Sequence, residues 1–109
     1  MFPEINAVSG LRVCTGSGYS PIGRGTLTCI APCGNGGDWA WRRAYLGCSG
    51  TLEFQCSLVD PGRVFVRFLP DRDVAAERIA VHFPGGIWQR SGDHAVLTTK
   101  AAVYSFTMA

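Results

Sequence analysis

The sequence predicts a single all-β domain over residues 1–109, an antiparallel sandwich or flattened barrel of seven to nine strands. Three observations carry this. Glycine and proline punctuate the chain at short, regular intervals, and the segments between them are rich in Val, Phe, Thr, Leu and Ile. In the candidate strand Thr51 to Val59, polar and apolar residues alternate strictly from Thr51 to Leu58. At 109 residues the chain suits one compact domain and is short for two.

The N-terminal half offers Leu11 to Cys14 and Thr26 to Ile30 as candidate strands, with a glycine-rich hairpin loop from Thr15 to Gly25 between them. Gly16-Ser17-Gly18 opens no helix-forming run, so it fails the context a dinucleotide fingerprint requires. In Thr51 to Val59, Leu52, Phe54, Cys56 and Leu58 share one face, and Thr51, Glu53, Gln55 and Ser57 the other. Asp60-Pro61-Gly62 is a turn by composition. Arg63 to Leu69 follows with Val64, Val66 and Phe68 inward, so these two strands should form a hairpin. Val74 to Glu77 reads as one helical turn capped by Asp73. Ile79, Val81 and Phe83 make a further strand with His82 on its opposite side, and Ile87 to Arg90 another. After a turn at Ser91 to His94, Ala95 to Thr99 and Ala101 to Met108 form the closing pair. The last of these carries neither proline nor charge and could pair as an exposed edge.

Composition narrows the function. Apolar residues make up 47% and charged residues 17%, which argues against disorder and suggests a surface covered in part by a partner or a second copy. A net charge of +2 is too small to imply nucleic acid by itself. No apolar run is long enough for a helical membrane span. The first ten residues lack the basic and apolar regions of a signal peptide, so the expected location is cytoplasmic. The five cysteines, Cys14, Cys29, Cys33, Cys48 and Cys56, are odd in number and read first as free, buried thiols. Two alternatives stay open. One is a bridge such as Cys33 to Cys48 or Cys14 to Cys29. The other is a zinc site on Cys29, Cys33, Cys48 and Cys56, whose spacing fits paired knuckles loosely. No cofactor is expected.

Two of the three tryptophans lie between Cys29 and Cys48. If Trp39 to Leu46 is a strand, Trp39, Trp41, Arg43 and Tyr45 share one face and Ala40, Arg42, Ala44 and Leu46 the other. That row is either a binding platform or part of the core. The candidate partner-binding residues are therefore Trp39, Trp41, Arg42, Arg43, Tyr45 and Trp88. Catalysis finds less support: His82 and His94 lack a nucleophile they could orient, and the acids are scattered over turns and solvent faces. The leaning is away from an enzyme. The first reading is a non-catalytic module that docks on another protein, with a homo-oligomer open. The alternatives are a carbohydrate-binding module using Trp39, Trp41 and Trp88, and a single-stranded nucleic acid binder using Trp41, Arg42, Arg43 and Tyr45.

Overall fold

A computed structural model of the protein describes residues 18–33, 39–60, 62–71 and 80–109. Seven strands form one antiparallel sheet: β1 (Ser20–Pro32), β2 (Ser49–Cys56), β3 (Val64–Pro70), β4 (Val81–His82), β5 (Ile87–Ser91), β6 (His94–Thr98) and β7 (Ala102–Met108). Their order is β4-β3-β2-β1-β7-β6-β5. The expected all-β class and strand number hold. The expectations at Leu11 to Cys14, Thr15 to Ser17, and Val74 to Ile79 lie outside the described residues.

The hairpin read from alternation is present, with Leu52 opposite Phe68, Phe54 opposite Val66 and Cys56 opposite Val64. Leu52, Phe54, Val64, Val66 and Phe68 are buried as their period of two requires. The alternation overreaches at Leu58, which is 95% exposed. The strand stops at Cys56 because the Ser57 hydroxyl accepts the backbone N–H groups of Val59 and Asp60, at 3.2 and 3.0 Å, and bends the chain into a turn.

Ser20 to Gly25, read from composition as loop, belongs to β1. This long strand pairs with β2 over Ser20–Thr26 and with β7 over Gly25–Pro32, so it serves two neighbours in succession. Irregularities fall between Pro21 and Gly23 and between Leu27 and Cys29. Bulges of this kind bend a strand and raise its local twist, which lets a sheet curl. β7 is central rather than an exposed edge, lying between β1 and β6.

The curl brings the two ends of the sheet together. β4 and β5 are its edge strands, yet only residues 83–86 separate them in the chain. Within that link Val64 and Gly86 exchange both backbone hydrogen bonds, at 2.8 and 3.0 Å. A Cβ on Gly86 would stand 2.5 Å from the Thr98 carbonyl oxygen. The link therefore runs in contact with both β3 and β6, and the sheet takes the outline of a flattened barrel with one broken seam. Inside, Phe83 meets Tyr104 edge-on at 4.7 Å, and Phe68, Phe83 and Trp88 all surround Phe106 at ring-centroid distances of 5.9 to 6.4 Å. These rings come from β3, the 83–86 link, β5 and β7, so both ends of the sheet contribute to one core. The indole N–H of Trp88 is buried without an acceptor among the described residues, a local cost that the surrounding ring contacts offset.

Candidate functional site

Residues 39–46 are not a strand. Ala40–Tyr45 forms a 3-10 helix, with the Arg42 N–H bonded to the Trp39 carbonyl and the Leu46 N–H to that of Arg43. Three residues per turn replace two. Trp39, Arg42 and Tyr45 therefore stack on one side, where Trp39 is half-buried, Arg42 is 4% exposed and Tyr45 is buried. Arg43 and Trp41 turn outward, and Trp41 is 47% exposed. The row of Trp39, Trp41, Arg43 and Tyr45 is not formed. Trp88 does not join these residues either: it is completely buried on β5. A binding platform built from all three tryptophans is thereby ruled out by geometry.

Arg42 is a fastener. Its Nε and Nη2 donate to the His82 carbonyl at 3.1 and 2.7 Å, and Nη1 donates to the Tyr104 hydroxyl at 3.3 Å. Its guanidinium lies 4.3 Å from the centre of the Trp41 ring and 5.3 Å from that of Phe83. The planar fork of Arg suits two bonds to one carbonyl together with aromatic stacking. The side chain thus ties the helix to β4 and β7.

The most exposed large apolar side chains among the described residues lie elsewhere. Leu58 and Val59, at the tip of the β2–β3 hairpin, are 95% and 93% exposed. The described residues of the tip are hydrogen-bonded to one another. Besides the Ser57 bonds, Ser57 N–H donates to the Arg63 carbonyl and Arg63 N–H to the Asp60 carbonyl, each at 3.0 Å. Asp60 accepts from Gly62 N–H at 3.3 Å and from Arg63 Nε at 3.0 Å. Arg63 Nη1 reaches the Gly85 carbonyl at 3.4 Å, which anchors the tip to the seam. Asp60 thus neutralises Arg63 and organises the turn beside two bare aliphatic side chains. Phe65 and Ile87, each more than a third exposed, stand behind the tip at the starts of β3 and β5.

The thiols divide differently from expectation. Cys29, Cys33 and Cys48 are free, which excludes bridges from Cys33 to Cys48 and from Cys14 to Cys29. Cys29 and Cys33 are exposed rather than buried, because the bulge in β1 turns Cys29 outward and Cys33 follows the strand's end. Cys56 is not a thiol but is disulfide-bonded, to a partner outside the described residues. Among the described residues no three His, Cys, Asp or Glu side chains gather to hold a metal.

The histidines stand apart. His82 meets Tyr19 edge-on at 6.3 Å on the outer face of the sheet, and His94 begins β6 opposite Ser91. Beside His82, Arg67 lies 4.1 Å from the centre of the Tyr19 ring and pairs with Glu53 at 2.5 Å. Arg24 pairs with Asp71, whose hydrogen bond and charge raise the Arg24 pKa above its usual value. Among the described residues no helix is long and apolar enough to cross a membrane. The chain matches no protein-family model, no curated protein and no solved structure.

Proposed function

We propose that the protein is a non-catalytic interaction module that docks on another protein through the β2–β3 tip. The observation that carries this reading is the near-complete exposure of adjacent Leu58 and Val59 on a turn whose backbone takes part in five hydrogen bonds. Burying one such aliphatic side chain releases about 1.5–3 kcal/mol. A pre-formed turn spares the ordering cost that a flexible loop would incur on binding. The tip residues were not among those singled out in the sequence, where Leu58 read as core.

Trp41 and Arg43 belong to the same proposal as a second contact, since both face outward from the helix. The cytoplasmic location also remains a proposal. Three free thiols fit it, while the bridge at Cys56 weighs against it, because cytosolic thiols are kept reduced.

The test captures partners from the native host with the wild-type protein, then measures the purified partner by calorimetry against variants. The double variant Leu58→Ser/Val59→Ser should weaken binding roughly 30- to 150-fold, the loss of about 2–3 kcal/mol of apolar burial. Its folding stability should stay within about 0.5 kcal/mol of wild type, as for other exposed sites. Full affinity in the double variant, with loss in Trp41→Ala, would move the site to the helix. Quenching of tryptophan fluorescence by oligosaccharides, or salt-sensitive oligonucleotide binding, would replace the protein-docking reading altogether.

A further inference from the structure

The outer surface of the sheet is divided by charge. Around β2, β3, β4 and the start of β1 it carries the pairs Arg24–Asp71 and Glu53–Arg67 together with His82. Across β5, β6, β7 and the second half of β1 the registers lay out three outward-facing rows. Ser91, His94, Thr107 and Thr26 form the first; Gln89, Val96, Ser105 and Cys29 the second; Ile87, Thr98, Val103 and Ala31 the third. These twelve positions are all exposed or half-exposed and contain no Lys, Arg, Asp or Glu. A surface of ordinary composition, with about 25–35% charged residues, would place three or four there.

We propose that this uncharged face is where two copies of the chain pack sheet against sheet. Eight of the twelve are short Thr, Ser, Val or Ala side chains, with Ile87, Gln89 and His94 along the β5–β6 side, so another sheet can approach the centre of the grid to about 10 Å. An uncharged face sets no demand for opposite charge, so it is complementary to itself about a two-fold axis. The charged half of the sheet would instead have to strip water from Arg24, Asp71, Glu53 and Arg67 to pack in the same way. With strands about 4.8 Å apart and same-face residues about 6.8 Å apart, the grid covers roughly 400 Å² in projection. That is about half of what each partner contributes to a standard interface, so the dimer belongs to the weak, dissociating class. This inference does not use Leu58 or Val59 and shares only Ile87, at a corner of the grid, with the surroundings of the hairpin tip.

Sedimentation velocity from about 1 to 500 µM, bracketing a micromolar or weaker dissociation constant, tests it. The wild-type chain should pass from monomer to dimer over this range. Val96→Lys and Ser105→Lys, at the centre of the grid, should each remain monomeric with unchanged circular dichroism. Gln55→Lys, on the outer face of β2, should dimerise as wild type does. Maleimide labelling of Cys29 gives a second readout that needs no folding control: its rate should fall with rising wild-type concentration and stay constant in Ser105→Lys. A wild-type monomer at the highest concentration would overturn the proposal. So would dimers that survive both lysine substitutions, or dimers lost equally in Gln55→Lys.

Discussion

Arg42→Met should lower the unfolding free energy by about 3 kcal/mol, a large share of the 5–15 kcal/mol that a domain of this kind possesses. The His82 carbonyl would lose two charge-assisted donors, and the Tyr104 hydroxyl one, in a buried setting where no replacement donor is supplied by methionine. Methionine keeps most of the stem volume, so the loss reports the guanidinium rather than a cavity. Arg42→Lys should recover only part of it, since a single ammonium cannot form the paired bonds while stacking on Trp41. Urea denaturation followed by tryptophan fluorescence checks both, with the slope expected to stay constant. A loss below about 1 kcal/mol in Arg42→Met would mean that the helix does not depend on this side chain for its seat.

Gly86→Val should be comparably disruptive for a different reason. The Cβ it introduces would lie 2.5 Å from the Thr98 carbonyl oxygen and 3.1 Å from a Leu97 methyl, and the first of these is backbone that cannot swing away. Separating the two would break the paired bonds between Gly86 and Val64 or push β6 away from the core. Overpacked sites typically lose about 1–3 kcal/mol, and this one belongs at the upper end. Gly50→Val probes another close approach, with its Cβ 2.2 Å from the Leu69 carbonyl oxygen, and should behave alike. Thermal unfolding compares them with Gly62→Ala, whose Cβ has open space apart from an ordinary contact with Asp60 and which should shift the midpoint little. A Gly86→Val protein with a wild-type midpoint would show that the seam does not hold the two edges together.

The candidate site was legible in the sequence only in part. Trp39, Arg42 and Tyr45 are three residues apart, so a period of three was present in the letters. It was indistinguishable from a period of two in a segment this short, because Trp39, Trp41, Arg43 and Tyr45 satisfied the strand template as well. A basic residue is also an improbable core residue by type. Partners at His82 and Tyr104, 40 and 62 positions away, contribute to making its burial tolerable. Leu58 was misplaced by extending a true alternation two residues beyond its end. The signal that could have stopped it is Ser57, a turn-forming residue three positions before Asp60. Val59, the other half of the tip, is a second apolar residue in succession and marks the end of the alternation.

The sequence by itself determined the class and the local pairings: strands where apolar residues recur every second position, turns where Gly, Pro, Asp and Ser cluster, and the hairpin of β2 on β3. These follow from forces acting between near neighbours, which the order of residues states directly. Tertiary structure decided the rest. It put β7 in the middle of the sheet, joined β4 to β5 across the seam, buried Arg42, bared Leu58 and Val59, and separated the charged outer face from the uncharged one. Each of these depends on which distant strand becomes a neighbour. That choice is made by the summed packing of one shared core, which no local period encodes.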